Sequence, residues 1–186
     1  MITGASMNKT LFLILLTVAS VTFAYAQGTL DKKSLGKEIK GRELEWSDFV
    51  GAVDPDSRWN SYTDWTTMYR FSAPTNDGMG VRVRMSVQLY LKPTSWVRPD
   101  KKSDELLEHE RGHFNIGRIC SMQIEKAVDA TPFSPVNYSK QIDDVYWQVS
   151  AKCREFEQQY DIDTRHYNDR EQQALWNKKI ADMLKK

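Results

Sequence analysis

The sequence predicts an α+β protein in which an N-terminal antiparallel sheet is followed by about three helices. Apolar and polar residues alternate across residues 65–71 and, more clearly, across residues 81–91, which indicates strands with one buried face. After Ser103 the apolar residues recur every three or four positions instead, which is the spacing of one helix face. The change of period divides the chain into a strand-rich part and a helical part.

The two strands are predicted to belong to the N-terminal antiparallel sheet. Asn76-Asp77-Gly78 is a turn sequence between them, and Pro93 ends the second strand. An extended substrate could pair with that second strand, although a simple core strand explains the same pattern.

The helical part divides at its prolines and polar turns. Asp104 and Glu105 begin the first helix, where negative charge is favourable, and Pro132 ends it. A second apolar stripe runs from Ile142 to Tyr160, and we expect the segment 160–166 to lie just past that helix. A third amphipathic helix is predicted from Asp169 onward. Its expected inner residues are Leu175, Trp176, Ile180 and Met183.

The first 26 residues have the composition of a secretory signal peptide. Lys9 precedes an apolar run over residues 11–24, and Ala24-Tyr25-Ala26 supplies the small residues of a cleavage site. We therefore predict cleavage after Ala26, one domain over residues 27–186, and a periplasmic or secreted location in a bacterium. The alternative is an uncleaved membrane anchor, but the apolar run is short for a span of about 20 residues. With the signal removed, no stable membrane association is expected.

The net charge and the two cysteines narrow the class of protein further. A formal net charge of +1 gives no electrostatic basis for binding nucleic acid. Cys120 and Cys153 both lie on apolar helix faces, and an isolated pair in an oxidising compartment usually forms a disulfide. Two buried free thiols are the alternative.

One motif carries the predicted chemistry. Residues 109–113 read His-Glu-x-x-His, and a four-residue step places His109 and His113 on the same face of a helix. The two imidazoles can hold two positions of a zinc site, while Glu110 reaches a zinc-activated water as general base. The alternative is a pair of core histidines held by ordinary hydrogen bonds, which would need two separate buried partners.

A catalytic zinc site needs a third protein ligand. His166 is the remaining histidine of the chain, and a Cys120–Cys153 bond would tie its segment to the metal helix. His166 is therefore the first candidate, with Asp161 and Asp163 as alternative ligands or as groups that orient an imidazole.

Three segments resemble a bacterial family of secreted zinc-dependent peptidases that is catalogued as a domain of unknown function. They are Leu44-x-Trp46-x-Asp48-Phe49-x-Gly51, Leu106-Leu107-Glu108-His109-Glu110-Arg111-Gly112-His113-Phe114-Asn115-Ile116 and Tyr160-Asp161-x-x-Thr164-x-His166. The resemblance spans nearly all of residues 27–186. It implies a metallopeptidase-like domain with a zincin-like helix at the motif.

The expected function is zinc-dependent hydrolysis of a protein or peptide substrate, with Tyr160 as a possible donor to the transition state. The alternative is a non-catalytic exported binding protein in which zinc is structural. Amidase action on cell-wall peptides would use the same metal chemistry and is not separated from peptidase action by the sequence.

Overall fold

A computed structural model describes residues 35–72 and 74–185. The predicted signal peptide and its cleavage site after Ala26 lie outside the described residues. Among the described residues, none of the helices is long and apolar enough to cross a membrane.

The strands form one long antiparallel hairpin that is interrupted twice. Its six short strands pair from the open end to the turn as β1 with β6, β2 with β5, and β3 with β4. They are β1 (Ser61–Tyr62), β2 (Trp65–Phe71), β3 (Thr75–Asn76), β4 (Val81–Arg82), β5 (Met85–Leu91) and β6 (Trp96–Val97). Gly78, at a φ of 85°, lies in the predicted turn. The N-terminal antiparallel sheet is thereby confirmed.

The predicted continuous strand over residues 81–91 is divided at residues 83–84. At that point the carbonyl of Arg84 accepts a hydrogen bond from the amide of Ser72, and the amide of Arg84 donates to the hydroxyl of Ser72. Val81 pairs with Asn76 in β3 and β4 and also forms a separate antiparallel bridge with Phe133. The pairing with Phe133 draws the tip of the hairpin toward the segment that follows the first helix.

Three α-helices follow the hairpin in the described part of the chain: α1 (Asp104–Ala130), α2 (Tyr138–Thr164) and α3 (Arg170–Leu184). Ser103 caps α1 by accepting a hydrogen bond from the backbone amide of Leu106, at 3.2 Å. Asp169 caps α3 in the same way, at 3.1 Å from the amide of Gln172. The predicted α+β order of elements is therefore confirmed.

The end of α2 differs from the expectation. The segment 160–166 was expected past the helix, but α2 continues to Thr164, and Arg165 then adopts a left-handed conformation. No proline or glycine stands near this end to stop the helix earlier. Asp161 consequently projects from a helix, whereas His166 lies just beyond it.

Helix α1 is central, since it packs against β5, α2 and α3. Two glycines let its neighbours approach closely. A Cβ at Gly112 would overlap the hydroxyl of Tyr160 on α2, and a Cβ at Gly117 would press on Leu89 of β5. The motif helix is therefore held at fixed distances from both the hairpin and α2.

Helix α3 packs against α1 and α2 through Trp176 and Ile180, each 4% exposed. The prediction that Leu175 faces inward is wrong, because its side chain is 56% exposed. The inward position on this turn belongs instead to Gln173, which is fully buried. A polar side chain at a core position needs partners, and those partners belong to the site described below.

Cys120 of α1 and Cys153 of α2 lie at disulfide distance, with their Cα atoms 5.9 Å apart. The predicted pairing is therefore present in the fold. It crosslinks the helix that carries the motif to the helix that carries Asp161.

Candidate metal centre

The two motif histidines face each other in the interior. Helix α1 places His109 and His113 one turn apart, with 2% and 8% of their surfaces exposed. Their Nε2 atoms lie 3.2 Å apart. The expected common face is therefore realised, and both imidazoles point at one position in space.

Asp161 brings a third atom to the same position. Its Oδ1 lies 3.2 Å from Nε2 of His109 and 3.1 Å from Nε2 of His113. His109, His113 and Asp161 together form a group that could hold a metal ion. Of the three candidates for a third ligand, the structure brings Asp161, rather than His166 or Asp163, into the group.

The far side of each imidazole has its own hydrogen-bond acceptor. Oε1 of Gln173 lies 3.1 Å from Nδ1 of His109, and Oε1 of Glu157 lies 3.1 Å from Nδ1 of His113. An acceptor at Nδ1 keeps the proton there, which leaves Nε2 with a free lone pair. Both rings are therefore held in the tautomer that binds a metal through Nε2.

With these tautomers, Nε2 of His109, Nε2 of His113 and Oδ1 of Asp161 direct lone pairs at one another, and no hydrogen atom lies between them. Such an arrangement is repulsive unless a cation, either a proton or a metal ion, lies among them. Atoms bound tetrahedrally at about 2.0–2.1 Å are separated by about 3.3 Å, close to the distances found here. Asp161 and Glu157 together carry two negative charges, which balance the two positive charges of a divalent ion. The residues present therefore fit a metal ion.

The pKa shifts of His113 and Asp161 also indicate that the group favours a positive charge. Burial alone would lower the pKa of His113, but its bonds to Asp161 and Glu157 raise that pKa from 6.5 to about 10. Burial opposes ionisation of Asp161, yet the two imidazoles hold the pKa of its carboxyl well below the ordinary 3.8. In the metal-free chain a proton can take the place of the cation.

Glu110 lies beside the group without belonging to it. Its carboxylate is 3% exposed and accepts hydrogen bonds from two hydroxyls at the open end of the hairpin. Ser61 donates at 2.5 Å to Oε1, and Thr63 donates to Oε2. These bonds fix the direction of the carboxylate, and a carboxylate has further lone pairs for a water molecule.

His166 lies at the edge of the group. Its Nδ1 is 3.1 Å from Oδ1 of Asp161, and its ring lies on Trp59 with the centroids 3.8 Å apart. Arg165, His166 and Tyr167 all have positive φ angles of 48–69°. Such angles are unfavourable for residues other than glycine, and strain of this kind is concentrated at functional sites. The tight left-handed turn places His166 over Asp161.

The remaining predicted residues, Asp163 and Tyr160, do not belong to the converging group. Asp163 accepts hydrogen bonds from the indole of Trp176, at 3.0 Å, and from the side chain of Gln159, at 2.7 Å. It therefore faces α3. Tyr160 is fully buried, and its hydroxyl donates to the backbone carbonyl of His109 at 3.0 Å. Its position is that of a residue that supports His109 from within the core.

A cleft of about 780 Å³ leads to the group. One wall is formed by residues 58–67 of the hairpin, and the opposite wall by α2. His109, Glu110 and His113 lie between the two walls. None of the residues of β5 lines the cleft, so pairing of an extended substrate with that strand has no support in the geometry.

Sequence reasoning missed the groups that support the site. Glu157 stands one turn before Asp161 on the same helix face, so that spacing could have indicated it. Gln173 carried a weaker signal, a polar residue among inward positions at 173, 176 and 180. Nothing in the pattern of Ser61 and Thr63 indicated contact with Glu110.

The comparisons with known proteins give a family for the chain. A family model described as a bacterial protein of unknown function (DUF922) matches residues 45–167, which is more than half of the chain. The chain belongs to this family. The matched range includes the motif, Asp161 and His166, while Gln173 lies beyond it. No curated protein and no solved structure matches the chain.

Proposed function

We propose that this member of the family is an exported zinc-dependent peptidase. The proposal rests on the different positions of the motif residues relative to the converging group. His109 and His113 converge with Asp161, while Glu110 stays out of that group and lines the same cleft. A structural metal site has no use for a separate buried carboxylate at this position.

Zinc is the metal that this donor set favours, because two imidazoles and one carboxylate are common ligands of catalytic zinc. The ion would be held by His109, His113 and Asp161. When bound, zinc supplies Lewis acidity, which polarises a carbonyl and makes water acidic near neutral pH. With three protein ligands, a bound zinc ion would still be able to accept water or substrate.

The residues of the chain then supply the proton transfers. Glu110 takes a proton from a water molecule in the cleft and passes it to the leaving amine nitrogen. Ser61 and Thr63 hold the carboxylate in a fixed direction before the reaction begins. Gln173 and Glu157 keep the imidazoles in place. His166 borders Asp161 and can hold its carboxylate in position.

Export is part of the proposal. The signal-like N-terminus predicts it, and the Cys120–Cys153 pair is consistent with an oxidising compartment.

The variant Glu110→Gln tests the proposed base. We expect it to lower the rate of hydrolysis of a mixture of unstructured, internally quenched peptides about 10²- to 10⁴-fold, because general base catalysis is lost. Zinc content should stay unchanged, since Glu110 is not among the converging atoms. Glu108→Gln is the matched control, because Glu108 pairs with Arg170 outside the cleft.

Equal rates in the parent and Glu110→Gln would rule out this base. A parent protein that carries zinc but cleaves no peptide would favour the binding-protein alternative.

A further inference from the structure

The cleft extends far beyond the metal group along one face of α2. The residues that line it recur every three or four positions: Trp147, Ser150, Arg154, Gln158 and Asp161. A helix rises about 1.5 Å per residue, so Arg154 lies about 10 Å and Trp147 about 21 Å from Asp161 along the axis. An extended peptide advances about 3.3 Å per residue. This arm of the cleft therefore has the length of about six substrate residues.

Arg154 is a charged side chain in this arm that has no ion-pair partner among the described residues. It is exposed, and among the described residues it makes no ion pair or side-chain hydrogen bond. The carboxylates that line the cleft, by contrast, all have partners. Asp64 pairs with Lys92, Glu157 accepts from the indole of Trp65, and Glu110 and Asp161 are bonded as described above. A carboxylate of a bound peptide is the complement that Arg154 lacks.

Trp147 provides an apolar surface at the far end of the arm. Its side chain is 60% exposed, and Tyr62 on the opposite wall is 49% exposed. Among the described residues, Trp147 and Tyr62 are the large aromatic side chains classed as exposed, and both line the cleft. Exposed aromatic residues in a concave site are typical of binding surfaces.

We propose that this arm binds an extended peptide that carries an acidic side chain about three residues, and an apolar side chain about six residues, from the bond that is cut. This inference rests on the proposed peptidase function and names its substrate class. Arg154 is the determinant for the acidic side chain and Trp147 for the apolar one.

Binding, measured apart from hydrolysis, tests the proposal. The chain is purified after export to a bacterial periplasm, loaded with zinc, and carries Glu110→Gln so that bound peptides are not cut. Fluorescein-labelled 14-residue peptides of one neutral sequence carry a single Glu, Gln or Lys at successive positions. Their dissociation constants are read by fluorescence anisotropy, and the parent protein reports where each peptide is cut.

We expect Glu to bind about fivefold more tightly than Gln at one position, about three residues from the cut, as for a partly exposed ion pair. Arg154→Gln should abolish this preference, and Lys152→Gln, a change at an exposed neighbour outside the cleft, should keep it. Trp147→Ala should weaken all peptides about tenfold, whereas Leu175→Ala, which removes an exposed apolar side chain of α3, should not.

The failures of the two proposals are distinguishable. Cleavage that is indifferent to Glu and to Arg154→Gln would overturn the acidic subsite and leave the peptidase intact. Peptide binding that depends on Arg154, without cleavage by the parent, would overturn the peptidase and keep the subsite. If the peptides do not bind but an oligomer of N-acetylglucosamine does, the cleft binds a glycan and the peptide proposal is overturned.

Discussion

The two motif histidines receive opposite kinds of support. Behind His109 stands the neutral amide of Gln173, which is fully buried and comes from the C-terminal helix. Behind His113 stands the charged carboxylate of Glu157, whose side chain is 25% exposed at the edge of the cleft. Both acceptors fix the same tautomer, but only Glu157 adds charge to the site.

This difference indicates which parts of the fold the site depends on. The amide of Gln173 also donates to the hydroxyl of Tyr160, at 2.7 Å, and to Asn177, at 2.8 Å. The support of His109 is thus a core network that water cannot replace. The support of His113 borders solvent, so water can substitute for part of it.

The largest loss is expected on the core side. Gln173→Leu removes the acceptor of His109 and one donor to the hydroxyl of Tyr160, which keeps its bond to the carbonyl of His109. The buried Nδ1–H of His109 is left without its partner, at a cost of about 1–3 kcal/mol. We expect zinc affinity to fall about 100-fold, measured by competition with a chromogenic chelator. Gln172→Leu, one position earlier on the same helix, is the control. Gln173→Glu retains an acceptor oxygen and should recover part of the affinity; if it behaves like Gln173→Leu, the hydrogen bond to His109 is not the cause.

A smaller loss is expected on the cleft side. Glu157→Gln keeps an acceptor oxygen for His113 and for the indole of Trp65 but removes a charge from the site. Zinc affinity should fall about tenfold, with little change in the midpoint of thermal unfolding of the metal-free chain. Glu155→Gln, at an exposed position on the same helix, should change neither quantity. A loss larger than that of Gln173→Leu would reverse the ranking of the two supports.

The smallest effect expected is the release of about one proton when zinc binds. The folded pKa of His113, about 10, lies above its ordinary value of 6.5, so the proton stabilises the metal-free fold below pH 6.5 and this stabilisation is lost as pH rises toward 10. Near neutral pH, zinc must displace about one proton, and apparent affinity should rise about tenfold per pH unit. Calorimetry in buffers of different ionisation enthalpy measures that release. Binding without release of a proton would show that His113 is neutral in the metal-free chain.

The local parts of the site could be predicted, and the long-range parts could not. His109, Glu110 and His113 follow from helix periodicity within five residues, and the Cys120–Cys153 pair follows from two apolar stripes. The first candidate for a third ligand shifted from His166 to Asp161, the predicted alternative, because the end of α2 carries no stop signal that a sequence pattern could reveal.

The supports of the site were beyond sequence reasoning for a different reason. Gln173 meets His109 across 64 residues, and Ser61 meets Glu110 across 49. Such contacts depend on how α3 and the hairpin dock onto α1, which periodicity within each element does not determine. The fold class was predictable because periods of two and of three to four residues are local properties, whereas the break at residues 83–84 involves a bond across the hairpin, from the amide of Arg84 to the hydroxyl of Ser72.

The metal content of the exported, oxidised chain tests the central claim most directly. After purification with ample zinc and removal of loosely bound ions, elemental analysis and native mass spectrometry should find one zinc ion per chain. His109→Ala should carry none while retaining its helical circular dichroism, which would show that the loss is local. A folded, oxidised parent chain that holds no zinc, or that holds as much after His109→Ala, would contradict the account.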